Sequence, residues 1–393
     1  MGLRALLHVQ HLLGTGHLVR TAAVARALAA RGVAVTLVSG GEPVPLVDMR
    51  GIDVVQLPPL RSPDATFRRL VDAQGRDADD ALWAARRAIL DATLARVRPQ
   101  VVVVEQFPFG RRKLAGELAP FLRAARALVP RPVVAGSVRD VLTARDPVRN
   151  DAMADLALGL LDAVLVHGDP RFLPLEASFP PAPRLARLLR YTGYVAAPAV
   201  PRAPGGPGEG EIVVSAGGGA VGAPLLEAAL AAAGTSARRW RILVGGRGDA
   251  ALLAGRAAGL GRRVIVEPAR PDFRALLANC AVSVSQGGYN TVVDVLAARA
   301  RAVIVPFARE GQSEQAMRAR YLAEAGLVRT IEEDALDPAR LAATVERAAA
   351  KPVNRSVVID LDGAARSAAM LQEFATQGHA ELGRAAPGTR PLG

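Results

Sequence analysis

The chain has 393 residues, half of them apolar and only 4% aromatic, with 49 basic against 37 acidic residues and a net charge of +12. That length suits two domains with separate cores, and cores so poor in aromatics must be built from Ala, Val and Leu, the usual content of parallel α/β sheets. One cysteine, Cys280, excludes an internal disulfide, five histidines without metal-ligand spacing argue against a zinc site, and no block of five Lys/Arg marks a nucleic-acid patch.

The segment MGLRALLHVQHLLGTGH carries one arginine and an apolar run broken by His and Gln, so a first strand over 5–9 is expected there rather than a signal peptide. A helix over 18–30, a strand over 33–38, a helix over 77–97 and a strand over 101–104 follow. Then come a helix over 111–128, a strand over 133–135, a helix over 148–161 and a strand over 163–166. Such alternation predicts a parallel sheet with helices on both faces. From Ala196 the pattern gives way to AAPAVPRAPGGPGEG, a Pro/Gly linker assigned to 197–210. Alternation restarts with strands over 212–215, 241–244 and 264–266 and helices over 224–233 and 249–258, and a last periodic helix covers 338–350. The predicted fold class is α/β, with two Rossmann-like parallel-sheet domains, 1–196 and 211–377, facing each other across a cleft, and a loose tail over 378–393. No apolar stretch reaches the ~18 residues of a membrane helix. A cytoplasmic protein is expected, with a basic surface suited to peripheral contact with anionic lipid at the inner face of the membrane.

Glycine turns after strands mark the candidate chemistry. After the first strand, Gly14, Thr15 and Gly16 form a loop that lets a ligand approach the backbone, and His17 opens the following helix. A helix N-terminus lowers the pKa of a histidine and favours the neutral imidazole, the form that accepts a proton. Glu105 ends the apolar strand 101–104, where carboxyl ends of parallel strands border a ligand crevice, so its carboxylate is placed to orient a histidine from a neighbouring loop. Gly217, Gly218 and Gly219 repeat the strand-to-glycine arrangement in the second half and suit an anion nest.

The most informative stretch is VSVSQGGYNTVVDVLAARARAVIVPFAREGQSEQ, 282–315. Val282 and Val284 lead into Gln286, Gly287 and Gly288, and Val292, Val293 and Leu296 continue at helical spacing: a strand, a tight turn and a helix start. Unpaired N–H groups and the helix dipole make that start a site for nucleotide phosphates. Asn290 and Thr291 lie in its first turn, and Asp294, three residues after Thr291 on the same face, is in reach of a ribose hydroxyl. A strand over 302–306 then opens into a polar loop, 310–315, whose Gln312, Glu314 and Gln315 suit hydrogen bonding to a sugar.

This ordered set resembles the C-terminal half of bacterial glycosyltransferases of the GT-B fold, in particular the family 28 group that adds N-acetylglucosamine to the lipid carrier of peptidoglycan. The resemblance implies that Gly287 and Gly288 hold the donor diphosphate, Asp294 the ribose, and Glu314 with Gln315 the donor sugar, with Gly217 to Gly219 beside the phosphates. Two residues depart from the pattern: Asp294 stands where the family has Glu, and Arg318 where Asn is usual. In GT-B enzymes with small acceptors the residue matching His17 is the general base and an acidic residue lies at a strand end comparable to that of Glu105. Lipid-carrier enzymes have one more glycine before the His. In these enzymes the last helix crosses back to the first domain, a role open to 363–376 here.

The expectation is an inverting glycosyltransferase moving a sugar, N-acetylglucosamine first, from a UDP-sugar to a hydroxyl or lipid-linked acceptor, without a cofactor, metal or nucleic acid. The same fold with the same His also serves nucleotide-sugar hydrolases that activate water, and the sequence leaves both open. A noncatalytic nucleic-acid binder would instead show DNA affinity that falls steeply with salt.

Overall fold

A computed structural model describes residues 2–64, 67–143, 146–216, 222–245, 250–307, 314–354 and 356–378. The chain divides into two compact units, Met1–Val195 with Asp362–Gly393, and Ala196–Leu361. In the first unit, β1 (Arg4–Val9), α1 (Gly16–Ala29), β2 (Ala34–Ser39), β3 (Asp53–Gln56), α2 (Asp80–Val97), β4 (Val101–Glu105), α3 (Ala115–Arg126), β5 (Val133–Arg139), α4 (Pro147–Leu160), β6 (Ala163–His167) and β7 (Leu189–Tyr191) follow in order. The strands form one parallel sheet ordered β3-β2-β1-β4-β5-β6-β7.

The second unit runs β8 (Ile212–Ser215), α5 (Ala223–Thr235), β9 (Trp240–Val244), α6 (Ala250–Ala257), β10 (Val264–Pro268), α7 (Phe273–Asn279), β11 (Val282–Ser285), α8 (Tyr289–Ala298), β12 (Ala302–Ile304), α9 (Glu314–Glu324), β13 (Arg329–Thr330) and α10 (Pro338–Ala350). Its sheet is again parallel, in the order β10-β9-β8-β11-β12-β13. Both orders reverse direction once, between β1 and β4 and between β8 and β11. In open parallel sheets that reversal leaves a crevice at the carboxyl ends of the two strands, where ligands bind. The two predicted sheets are therefore present, each with one such crevice of its own.

Alternation along the central strands decides what reaches the first crevice. Val101, Val103, Val133, Ala135, Ala163 and Leu165 pack with Leu18, Val24 and Leu28 of α1. Their neighbours Val102, Val104, Val134, Val138, Val164 and Val166 pack on the other face with Leu118, Phe121 and Leu122 of α3. The same period of two sends Glu105, Ser137, Arg139 and His167, at the strand ends, to the face that α1 covers.

The final helix, α11 (Gly363–Gln377), belongs to the first unit. Ala368, Leu371 and Phe374 enter the α1 core, where a fully buried Leu or Phe contributes about 2 kcal/mol. Arg31 donates to Gln372 Oε1 at 2.7 Å, and a Cβ on Gly363 would collide with the Gly193 carbonyl, so only glycine lets the helix start this close to the 193–195 segment. The second domain therefore ends at Leu361 instead of 377, because the apolar face of α11 is buried on α1. Residues 197–210, assigned to a linker, fall within the second unit, where Asn279 Oδ1 accepts from the Ala203 amide at 2.9 Å. Of the tail assigned to 378–393, only Gly378 lies within the described residues.

Candidate active site

The first crevice is built from α1 and the ends of β4, β5 and β6. The loop after β1 carries Gly14 and Thr15, both exposed, and a Cβ at Gly14 would meet no atom within 4 Å, so packing does not require glycine there. Thr15 is the N-cap of α1 and makes no side-chain cap hydrogen bond, which leaves the amides of its first turn, from Gly16 onward, without a side-chain partner of that kind. His17, in that turn, projects over the end of β4, and its Nδ1 lies 2.7 Å from Glu105 Oε1. The His17 side chain is 16% exposed and that of Glu105 fully buried.

Arg20, one helical turn after His17, donates from Nη2 to the same Glu105 oxygen and is 2% exposed. Burial opposes ionisation of Glu105, yet His17, Arg20 and Arg111 outweigh it and hold the carboxyl below the usual carboxylate range. Burial is also the largest influence on His17, and with Arg111 and Arg139 it outweighs the pull of Glu105, holding the imidazole well below its ordinary pKa. The pair therefore consists of a carboxylate and a neutral imidazole. An ionised carboxylate can only accept, so Nδ1 carries the hydrogen and Nε2 the lone pair.

Behind the dyad, His167 Nε2 lies 2.9 Å from Ser137 Oγ and its Nδ1 2.9 Å from Thr192 Oγ1, and burial holds this histidine neutral as well. Tyr194 donates to Asp140 Oδ2 at 3.1 Å. Arg139, Asp140 and the 191–194 segment, without a role in the sequence, thus belong to the wall of this crevice. Arg20 was also missed; its signal was the three-residue spacing from His17, which puts both on one helix face.

In the second unit the turn after β11 leads directly into α8. Gly288 is the N-cap, with φ −62° and ψ 141° and no side-chain cap. Arg318 of α9, 1% exposed, donates from Nη1 to the Gly287 carbonyl at 2.7 Å and lies 5.7 Å from the centre of the Tyr289 ring. That bond turns the Gly287 carbonyl toward α9 and gives the residue where Asn was expected a place beneath the turn. Gln315 Oε1 accepts from the Phe307 amide at 3.0 Å, and its backbone carbonyl lies 2.9 Å from where a Gly287 Cβ would stand. Asn290, Thr291 and Asp294 occupy the half-exposed side of α8. Burial pushes the Asp294 carboxyl up to about 6, with Arg274 pulling weakly the other way.

Gln286 follows β11 half-buried and Glu314 opens the described part of α9, so Gln286, Gly287, Gly288, Arg318 and Gln315 are gathered at one strand end. Gly217, Gly218, Gly219 and Gln312 lie outside the described residues. The hydroxyls of Ser215 and Ser285, register partners at the ends of β8 and β11, are buried and make no hydrogen bond among the described residues. An unsatisfied hydroxyl costs about 1–3 kcal/mol, so these two, unnoticed in the sequence, stand out at the second crevice. Among the described residues no three His, Cys, Asp or Glu group as a metal site would require, and no helix is long and apolar enough to cross a membrane.

Two parallel α/β units, each with its polar and glycine-rich residues gathered at a reversal of strand order, define a protein of the GT-B glycosyltransferase fold. More particularly, residues 213–359 match the model of the glycosyltransferase family 28 C-terminal domain. Over 118 residues the chain is 35% identical to the UDP-N-acetylglucosamine–N-acetylmuramyl-(pentapeptide) pyrophosphoryl-undecaprenol N-acetylglucosamine transferase of Nitrosococcus oceani, a match that spans 30% of this chain and about a third (32%) of that relative. Among solved structures, the calicheamicin glycosyltransferase CalG4 superposes with a TM-score of 0.60 at 21% identity, covering 98% of this chain and all (100%) of that one. MurG of Acinetobacter baumannii superposes at 0.59 and 16% identity, covering 94% and 99%. At these identities the two structures speak for the fold.

Proposed function

We propose that the protein is an inverting glycosyltransferase that moves a sugar from a nucleotide sugar to an acceptor hydroxyl. The observation that carries this reading is the His17–Glu105 dyad, a neutral imidazole held by a buried carboxylate 2.7 Å away at the crevice of the first sheet. Glu105 accepts the Nδ1 hydrogen and leaves Nε2 to take the proton of the acceptor hydroxyl as its oxygen attacks the anomeric carbon. A single in-line displacement inverts that carbon and releases a nucleoside diphosphate. Its charge is stabilised by the uncapped amides at the start of α8, a contribution of about 3 kcal/mol for a well-aimed donor.

The donor proposed is a UDP-sugar carrying N-acetylglucosamine, which is what the name of the Nitrosococcus oceani relative contains. The acceptor is a hydroxyl, lipid-linked as in that name, and the net charge of +12 suits an anionic membrane surface. Thr291 and Asp294 take the ribose, Gly287 and Gly288 the diphosphate, and Glu314 and Gln315 the sugar. No cofactor or metal is required by this scheme.

Thermal unfolding with UDP, TDP, GDP and UDP-N-acetylglucosamine tests the donor. At a hundred times its dissociation constant a ligand adds ~2.7 kcal/mol, so the cognate nucleotide raises the midpoint by several degrees. No shift with any nucleotide sinks the proposal. Donor turnover at full rate without an acceptor would assign water as the acceptor.

Asp294 allows a sharper test. A carboxyl whose folded pKa is about 6 binds its proton more tightly in the native state than in the unfolded chain. Native stability therefore falls as pH rises between the unfolded value, about 4, and 6, and the loss is complete by pH 7. Asp294→Asn is expected to raise the stability of the free protein at pH 7 by about 1–2 kcal/mol, and to diminish the stabilisation that the nucleotide brings. A variant that is stabilised yet keeps the full nucleotide effect removes Asp294 from the ribose site.

A further inference from the structure

The Glu105 carboxylate has two cationic or hydrogen-bearing partners on one oxygen, and only one of them, His17, belongs to the reaction proposed above, on which the following rests. Oε1 receives both the His17 Nδ1 hydrogen and the Arg20 guanidinium, while Oε2 is buried and accepts no hydrogen bond among the described residues. Arg20 Nη2 lies 3.5 Å from His17 Nδ1, so the three groups meet at a single point. We propose that Arg20 is the positioning residue of the dyad: its guanidinium fixes the Glu105 carboxylate, and the carboxylate in turn fixes the imidazole with Nε2 free for the acceptor.

The physical case begins with burial. A carboxylate with no exposed side-chain surface and a single imidazole partner has two ways to lower its energy: it takes up a proton itself, or it draws a second proton onto the imidazole. Either outcome spoils the base, because a protonated Glu105 no longer demands the Nδ1 hydrogen and an imidazolium has no lone pair. A permanent cation at Oε1 suppresses both, since it stabilises the carboxylate and repels a charge on His17. Of the other charged and titratable groups around the dyad, Arg111 and Arg139 also act on it through their charge. Arg111, from the loop after β4, donates through Nε to the Gln10 carbonyl at 2.9 Å, and Arg139 comes from the end of β5. His8 of β1 and His167 of β6 are both held neutral by burial. Arg20 is the arginine whose guanidinium shares the Glu105 Oε1 oxygen with the His17 imidazole.

The charge, and not the bulk, of Arg20 is therefore what the dyad needs, and the state of His17 reads it without any substrate. The experiment is ¹⁵N NMR of the histidine imidazoles of the full chain from pH 5 to 8, with His17 assigned by its loss in His17→Gln, in the wild type and in Arg20→Met and Arg20→Lys. The wild type is expected to show a neutral His17 in the Nδ1–H tautomer throughout. In Arg20→Met the His17 signals should titrate within that range, an upward shift of about two pH units or more from a wild-type value of about 3, or spread between tautomers. Arg20→Lys should restore the wild-type pattern. Where Arg20→Met does not fold, Arg20→Gln, which keeps an amide donor without charge, is read in the same way. A His17 spectrum in either neutral variant identical to the wild type overturns the proposal, and so does an equal disturbance in Arg20→Lys, which would make the role one of packing. Failure of the protein to use any nucleotide sugar would overturn the proposed reaction and leave this measurement as it stands.

Discussion

Replacing His17 by alanine is expected to lower sugar transfer by about 10³-fold or more while the midpoint shift caused by the nucleotide stays at its wild-type size. The separation follows from the fold. His17 stands on α1 in the unit Met1–Val195, and the residues proposed for the nucleotide stand on α8 and α9 in the unit Ala196–Leu361, each with its own core. Loss of the imidazole leaves Glu105 still paired with Arg20, so no buried charge is orphaned and the variant should fold with little change in stability. Glu105→Gln is expected to fall short of that loss, since it leaves Nε2 in place but no longer dictates the tautomer. Turnover of the nucleotide sugar unchanged in His17→Ala would remove this histidine from the chemistry, whatever the nucleotide binding shows. Because burial holds His17 well below its ordinary pKa, the wild-type rate should also show no acid limb near pH 6.5 that disappears with the histidine.

The parts of this site that the sequence revealed are the local ones. A glycine turn between a β-branched run and a helix start is written in a dozen consecutive residues, and so are His17 after Gly14 and Gly16 and the spacing of Thr291 and Asp294. Long buried strands were legible for the same reason: β4 is four valines and a glutamate, and nothing but the centre of a parallel sheet accommodates such a run. Edge strands were not. β3 is half polar and mostly exposed, β7 has three residues and β13 two, too short for a period to appear. Helix starts shifted where a cap decided them: α2 begins at Asp80 because Asp79 accepts from the Leu82 amide at 2.8 Å, three residues after the expected start.

Residues that meet the dyad only through the sheet stayed silent. Glu105 and Ser137 are register partners on β4 and β5, and Arg139 and His167 on β5 and β6. The expected strand over 133–135 stopped short of both Ser137 and Arg139, since Gly136 interrupts the apolar run. Without those residues the wall behind the dyad has no sequence signature. The placement of α11 is a related case. Its crossing back to the first domain was open only through the resemblance, because which of two similar sheets it covers depends on the match between Leu371, Phe374 and the α1 surface, which is long-range information.

The glycine turn at α8 carries the second large prediction, because its two glycines differ in what surrounds them. A Cβ on Gly287 would stand 2.9 Å from the Gln315 carbonyl and 3.1 Å from its Cβ, so alanine there must push the turn away from α9 and strain the Arg318 bond to the Gly287 carbonyl. A Cβ on Gly288 would meet nothing within 4 Å, and its φ of −62° is one that alanine adopts freely. Gly287→Ala is thus expected to lose stability and nucleotide affinity together. Gly288→Ala should melt at the wild-type temperature or slightly above, since alanine restricts the unfolded chain. If the diphosphate rests on the amides that begin α8, the same methyl group occupies the approach to them, and nucleotide affinity should fall by roughly tenfold or more, equivalent to ~1.4 kcal/mol. Calorimetric titration of the cognate nucleoside diphosphate into both variants reads the difference. Undiminished affinity in Gly288→Ala would mean that the phosphates lie elsewhere, and that Gly287 is glycine only because Gln315 and Arg318 crowd it.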